Sequence, residues 1–230
     1  MNLVILTGAG ISAESGIPVF RGSDGLWEGH RVEDVATPDG FRRDAETVHH
    51  FYNLRRSRLL EVTPNPAHLA LAHLARHWPG RLTLITQNID DLHERAGSPD
   101  VIHMHGELLK SRCTHCGAVA PCTTDLSRAS LCHACGGIDV LRPHVVWFGE
   151  MPFQLGLIER EIQQAHLFAA IGTSGRVYPA AGFVSLARSC GARTLEINLD
   201  STRSSPDFDE ILSGPASETV PHWVRELLDS

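Results

Sequence analysis

The chain has 230 residues, 42% hydrophobic and 20% charged, enough for one α/β domain with a sizeable core and a small insert. Its net charge of -7 argues against a partner held by phosphate neutralisation, as nucleic acids are, and fits small molecules or basic peptide segments. An apolar strand starting almost at Met1 leaves no room for a targeting peptide, and no apolar run approaches the roughly 18 residues that span a bilayer, so a cytoplasmic chain with reduced thiols is expected.

Residues 3–6 form an apolar run that enters Thr7-Gly8-Ala9-Gly10-Ile11-Ser12-Ala13, which reads as a buried strand feeding a tight turn. Gly8-x-Gly10-x-x-Ala13 satisfies the dinucleotide fingerprint, in which glycines let the backbone approach a pyrophosphate and the next helix points free N–H groups at it. A glycine-rich turn with no ligand satisfies the same spacing. A dehydrogenase would continue into a second strand and offer an acidic side chain about 20 residues on. This chain breaks at Gly16-Ile17-Pro18 and runs into the irregular Phe20-Arg21-Gly22-Ser23-Asp24-Gly25-Leu26-Trp27.

Residues 33–60 read as helical segments interrupted at Thr37-Pro38-Asp39-Gly40. Tyr52 and Arg55 stand three apart on one helix face, and with Arg56 and Arg58 beside them they read on spacing alone as an ordinary helix surface. Pro64 and Pro66 precede a short helix over 67–76, and β-type runs follow at 82–86, 100–104, 167–171 and 194–198. Short apolar strands ending in polar or glycine-containing loops are the pattern of a parallel sheet with ligand groups at its carboxyl ends. In one such loop, Gln87 and Asn88 add directional donors and acceptors that capping by Asp90 or Asp91 does not need. His105, one of 14 histidines, ends a strand before Gly106, which lets the loop pass close to a ligand.

Cys113-x-x-Cys116 and Cys132-x-x-Cys135 are separated by fifteen residues, the spacing of a four-thiolate zinc site. Such a set closes the tetrahedron and leaves no position for water, so its role is structural. Gly117 and Gly136-Gly137 suit the two knuckle turns. Disulfides compete with this reading but conflict with a reducing compartment, and a redox pair leaves the second pair unexplained. Cys122 and Cys190 fall off the spacing and read as small core residues, while His115 and His133 read as exposed loop residues.

The string Gly8-Ala9-Gly10-Ile11-Ser12-x-x-Ser15-Gly16-Ile17-Pro18-x-Phe20-Arg21 resembles the first signature of the sirtuins, the NAD-dependent protein lysine deacylases. Thr86-Gln87-Asn88-Ile89-Asp90-x-Leu92-His93 resembles the second, and His105-Gly106, the cysteine pairs, Gly172-Thr173-Ser174 and Asn198 follow in the family's order. The resemblance runs from residue 3 to about 221. Arg142-Pro143-His144-Val145-Val146-Trp147-Phe148-Gly149-Glu150, with Val19 where the family often has Asp, resembles the bacterial CobB-like, desuccinylase-type group.

The resemblance implies an α/β fold with one sirtuin-type domain over 1–230. Its Rossmann-like parallel-sheet part spans about 1–28, 62–110 and 142–230, and its smaller part joins a helical acyl-pocket segment (about 29–61) to a zinc module (about 111–141). NAD is implied as a co-substrate consumed in each turnover. Gly8, Ala9, Gly10, Ser12, Ala13, Phe20, Arg21 and Trp27 would wrap its pyrophosphate and nicotinamide ribose. Gln87, Asn88, Ile89 and Asp90 would serve the nicotinamide side, and Gly172, Thr173, Ser174, Asn198, Leu199, Asp200 and Ala216 the phosphates and adenosine.

His105 is implied as the base that deprotonates a ribose hydroxyl, with Asn88 and Asp90 orienting the carboxamide for cleavage. Val146, Phe148, Gly149 and Glu150 are implied to form a strand-like segment that pairs with an acylated-lysine peptide. In the Tyr52-x-x-Arg55 pair, Arg55 would meet a succinyl or malonyl carboxylate and Tyr52 would add a hydroxyl donor, with deacetylation retained. The products would be free lysine, nicotinamide and O-acyl-ADP-ribose. One structural zinc, acylated-lysine proteins as partners, a monomeric state, and neither membrane nor nucleic acid complete the expectation. A zinc-containing NAD dehydrogenase would need a second, catalytic zinc and a ribose-binding acid, and neither appears in the right place.

Overall fold

The computed structural model describes residues 1–19, 26–27, 29–200, 202 and 204–229. Strand β1 (Asn2–Thr7) leads into a 3-10 helix over Ala9–Ser15, and β2 (Leu26–Trp27) pairs with β3 (His30–Arg31). Helices α1 (Val32–Val35), α2 (Pro38–Arg43), α3 (Ala45–Glu61) and α4 (Pro66–His77) follow. The middle of the chain supplies β4 (Arg81–Thr86), α5 (Leu92–Arg95), β5 (Ile102–His103), β6 (Gly106–Cys113), β7 (Val119–Pro121) and β8 (Leu141–Val145). The rest is α6 (Leu155–Gln163), β9 (Leu167–Ile171), α7 (Phe183–Ser189), β10 (Arg193–Asn198), β11 (Glu210–Ser213) and α8 (Ala216–Asp229).

The main sheet is parallel, in the order β11-β10-β9-β1-β4-β5. Alternation along β1 sends Val4 and Leu6 to one face, against Ile158, Ile162, Phe183 and Val184, and Leu3 and Ile5 to the other, against Leu71, Leu74, Val220 and Trp223. A strand buried on both faces needs an unbroken apolar run, which is why residues 3–6 carry no polar side chain. Burying each such side chain is worth about 1.5–3 kcal/mol. A third cluster joins Val48, Phe51, Tyr52 and Leu59 of α3 to Leu108, Val145 and Trp147. The antiparallel sheet β7-β6-β8 carries the cysteine knuckles at the end of β6 and beyond β7.

Several local expectations change. The segment expected to break the helices at 37–40 instead begins α2: Thr37 Oγ1 accepts from Gly40 N at 2.9 Å, and Pro38 occupies the first turn. The breaks fall at Ala36–Thr37 and at Asp44, whose carboxylate caps α3. The expected strand at 100–104 is reduced to Ile102–His103. Behind the glycine turn lies a seven-residue 3-10 helix, not an α-helix, closed by Gly16 at φ +95°.

From β1 the sheet grows to β4 and β5 on one side and to β9, β10 and β11 on the other, so the reversal of order lies at β1 and β9. Open parallel sheets bind ligands in the crevice at such a reversal. Here Gly8 N donates to Ile171 O at 3.0 Å and Gly10 N to Gly172 O at 2.9 Å. A Cβ on Gly10 would stand 2.6 Å from Gly172 Cα, and one on Gly172, at φ +63°, would stand 2.5 Å from Ile11 N. These glycines are therefore required by backbone packed on backbone, in addition to any approach to a ligand. Gly172→Ala is expected to destabilise the fold by about 1–3 kcal/mol in urea unfolding, and an unchanged midpoint would remove this packing argument.

Candidate active site

At the carboxyl ends of β1 and β4, Ser12, Asn88 and Asp90 form a buried cluster. The Ser12 hydroxyl donates to Asp90 Oδ2 at 2.9 Å and accepts from Asn88 Nδ2 at 3.1 Å, and Asn88 Nδ2 also donates to Gly8 O at 3.1 Å. Both amide protons of Asn88 thus face the glycine loop, and Asn88 Oδ1 is left as its open acceptor among the described residues. Asp90 Oδ1 accepts from Leu92 N at 3.2 Å. Burial raises the Asp90 pKa to about 6, against the opposing pull of the Leu92 amide and Ser12 hydroxyl. Behind the cluster, His68 Nδ1 accepts from Asn65 N, so its Nε2 carries the proton facing Ser12 Oγ at 3.4 Å. Burial holds His68 neutral, with a pKa near 4.

His105 follows β5, half-buried. Its Nδ1 lies 3.0 Å from Gln87 O, and a carbonyl only accepts, so Nδ1 carries the proton and Nε2 presents a lone pair. Burial lowers its pKa, partly offset by the Gln87 carbonyl. His103, two residues earlier, is the opposite case. Its Nε2 meets Glu94 Oε1 at 2.6 Å and its Nδ1 faces Asn88 O at 3.3 Å, two acceptors that together require the imidazolium. Burial opposes that charge, but Glu94 outweighs it and raises the His103 pKa. Gly106 (φ +80°) serves packing, because a Cβ there would stand 2.1 Å from His144 O on β8. The expected approach to a ligand is not what demands glycine here.

Tyr52 and Arg55 of α3 gather with Trp27 in a second cluster. Trp27 packs edge-on against Phe51 and Tyr52 at 5.1 and 6.3 Å. The Arg55 guanidinium lies 3.1 Å over the Phe51 ring and 4.8 Å over Trp27, and donates to Phe51 O at 2.8 Å. Arg56, expected at the surface, is 1% exposed and bonds Leu108 O and Asn53 Oδ1. Asn53 exchanges two hydrogen bonds with the Leu126 backbone, so this face of α3 is fastened to the zinc module.

The segment 146–150, expected to be strand-like, is irregular with a turn at Phe148-Gly149. Val146 N donates to His105 O, Phe148 N to Ala36 O, and Glu150 N to Trp147 O. Glu150 holds Arg142 through both carboxylate oxygens at 2.6 and 2.9 Å, and also accepts from Arg112 and from Trp147 N. Its carboxylate closes the loop instead of facing outward. The sequence reading missed Trp147 and Arg142, although both sit in the quoted 142–150 string. Lys110 pairs with Glu107.

On the adenosine side, Asn198 Nδ2 donates to Thr173 O at 2.7 Å, which ties the loops after β9 and β10. Ser174, Leu199 and Asp200 are exposed beside it. Ala216 opens α8, and the next residue, Ser217, bonds Glu14 of the 3-10 helix through both its amide and its hydroxyl. Ala9 is half-buried, Ala13 is exposed, and Ile89 O accepts from Leu108 N. Phe20 and Arg21 lie outside the described residues.

The sulfurs of Cys113, Cys116, Cys132 and Cys135 lie within 4.8 Å of one another, with Cys113–Cys135 and Cys116–Cys132 at 3.8 Å. Four thiolates about 2.3 Å from a tetrahedral zinc stand about 3.8 Å apart, so the set fits a closed structural zinc site. Gly117 and Gly136 turn the knuckles at φ +76° and +72°. His115 and His133 are exposed. Cys122 is buried, but Cys190, expected in the core, is exposed at the end of α7, where the chain leaves the helix. No helix among the described residues is long and apolar enough to cross a membrane.

The Sir2 family model matches residues 8–179. The NAD-dependent protein deacylase of Vibrio cholerae serotype O1 is 56% identical over 229 residues, which cover 99% of this chain and 93% of that protein. Among solved structures, a Sir2 homolog–NAD complex superposes with a TM-score of 0.91 at 44% identity, covering 99% of this chain and 90% of that one. A Sir2 protein bound to acetylated peptide superposes with a TM-score of 0.83 at 30% identity, covering 99% and 92%. With a family match across most of its length and a relative this similar from end to end, the chain belongs to the Sir2 family.

Proposed function

We propose that this chain is an NAD-dependent protein-lysine deacylase that removes acetyl and acidic acyl groups, such as succinyl and malonyl, from lysine. The observation that carries the reading is the tautomer of His105. Its Nδ1 proton is held by Gln87 O, which leaves Nε2 as a base next to the strand ends that carry Ser12, Asn88 and Asp90. NAD, as co-substrate, supplies a ribose carbon able to accept the acyl oxygen once nicotinamide leaves.

The residues around the β1–β9 crevice fit that co-substrate. Gly8, Gly10 and Gly172 are assigned to the pyrophosphate, Asn88 keeps Oδ1 open for a carboxamide, and Asp90 is a carboxylate above pH about 6. His105 Nε2 then takes the proton of a ribose hydroxyl, a transfer worth roughly 10²–10⁴ in rate. Phe20, Arg21 and the backbone from Ala9 to Ala13 are assigned to cover the nicotinamide end. Thr173, Ser174, Asn198, Leu199, Asp200 and Ala216 are assigned to the adenosine.

For the protein substrate, the similarity to a Sir2 protein bound to acetylated peptide supports an acyl-lysine partner. The N–H groups of Val146 and Phe148 are bonded inward, so a peptide beside Val146, Phe148, Gly149 and Glu150 would pair with other backbone groups of the segment. Arg55, with Tyr52 three residues before it, supports an acidic acyl group. A charge-assisted hydrogen bond of roughly 1.5–3 kcal/mol discriminates by about 10- to 150-fold. Unpaired cysteines support a reducing compartment such as the cytoplasm.

His105→Ala should lower acyl-peptide-dependent nicotinamide release by roughly 10²–10⁴ while zinc content and the melting curve stay unchanged; near-normal turnover would remove His105 from its role. In the unmodified enzyme, kcat/KM should fall on acidification, as Asp90 takes up a proton near pH 6 and His105 below 6.5. A profile flat from about pH 5 to 8 would contradict both assignments. Arg55→Met should cut desuccinylation at least about tenfold more than deacetylation in paired kinetic assays, and equal loss would assign Arg55 to folding or general binding.

A further inference from the structure

We infer that Trp147 is a positioning residue for acyl specificity: its indole N–H takes up the acceptor side of the Tyr52 hydroxyl and leaves the Tyr52 proton for the carboxylate of an acidic acyl group. This rests on the acidic-acyl reading above. An indole nitrogen only donates. Trp147 Nε1 lies 2.9 Å from the Tyr52 oxygen, so at that contact the phenol accepts. The two side chains are 2% and 1% exposed, which places the pair out of reach of bulk water. The remaining phenol proton meets no acceptor among the described residues, and a buried donor in that state is costly until an acceptor arrives. Burial also pushes the Tyr52 pKa upward, so the group stays a donor at every working pH.

The surroundings make this orientation fixed. The Arg142 guanidinium stacks 3.2 Å from the Trp147 ring and is gripped through both oxygens of Glu150, which also accepts the Trp147 backbone N–H at 2.8 Å. Phe41 packs on the same ring at 5.2 Å. Arg55, three residues further along α3, is held over Phe51 and Trp27, close enough for its charge to act on the Tyr52 phenol. A carboxylate that meets Arg55 therefore finds the Tyr52 proton beside it. An acetyl group has no carboxylate and gains nothing from the arrangement, so Trp147 should bear on acyl choice and not on the common chemistry.

The test uses the full-length enzyme with matched acetyl- and succinyl-lysine peptides. Trp147→Phe should lower kcat/KM for the succinyl peptide about tenfold, through KM, while deacetylation stays within about twofold. Tyr52→Phe should shift the ratio in the same direction, and the double variant should show no further loss, because both changes remove one interaction. Where Trp147→Phe folds poorly, 3-benzothienylalanine at position 147 keeps the bicyclic shape and removes only the N–H. A wild-type acyl ratio in either 147 variant, equal loss of both activities, or a full Trp147 effect in the Tyr52→Phe background overturns the inference. Arg55→Met separates the two failures. If it is selective and the 147 variants are not, only Trp147 is wrongly assigned; if it is unselective, the acidic-acyl reading itself fails.

Discussion

Where β1 and β9 end, the chain puts backbone directly on backbone: Gly8 against Ile171, and Gly10 against Gly172, with no room for a Cβ at either glycine of the turn. That contact brings two loops from distant parts of the sequence to one crevice, and the polar groups of the site hang from it. Asn88 reaches the site from β4 by donating to the carbonyl of Gly8, and Asn198 reaches it from β10 by donating to the carbonyl of Thr173. Widening the β1–β9 junction by one methyl group would move both anchors. The sheet order supplies the crevice, but the missing side chains set its dimensions.

Helix α3 carries a second constraint, because one short stretch of it is tied to two different neighbours. Asn53 and Arg56 fasten it to Leu126 and Leu108, at the zinc module and β6. Tyr52 and Arg55 face Trp27 and Trp147. Residues one position apart on a helix point about 100° from each other, so a short stretch can serve both sides. The cysteine cluster thus shapes the candidate acyl pocket without contributing a group to it: the module fixes the helix, and the helix fixes the pair.

Much of this was legible in the sequence wherever one residue type has few uses. Four cysteines at matched spacing, glycines after an apolar run and polar residues at strand ends each narrow the choice to a few arrangements, and the main-sheet strands β1, β4, β9 and β10 fall where the apolar runs stand. What stayed hidden depended on partners far away in the chain. Arg56 reads as a surface charge because nothing in its neighbourhood announces Asn53 and Leu108 as buried acceptors. Trp147 stands in the 142–150 string with no role of its own, because its importance lies in one nitrogen, and its bond to Tyr52 crosses 95 residues. Gly106 was visible but its reason was not, since the obstructing carbonyl of His144 belongs to a strand with no apolar run to mark it.

The reactive groups share a device that explains why so many of their neighbours are one-sided. A hydroxyl or a neutral imidazole can either donate or accept, and only a partner restricted to one role decides which. The carbonyl of Gln87 can only accept, so His105 keeps its proton on Nδ1 and its lone pair on Nε2. The amide of Asn88 can only donate through Nδ2, so Ser12 turns its proton to Asp90. The indole of Trp147 can only donate, so Tyr52 turns its proton away from it. Two acceptors flank His103, which is thereby held as a cation next to the buried carboxylate of Asp90. Each proton is placed before any substrate arrives, at low dielectric, where re-placing it during turnover would be slow and costly. For an enzyme that must break one bond of its co-substrate without exposing the result to water, a fixed inventory of donors and acceptors is the physical requirement, and the buried one-sided partners are how this fold meets it.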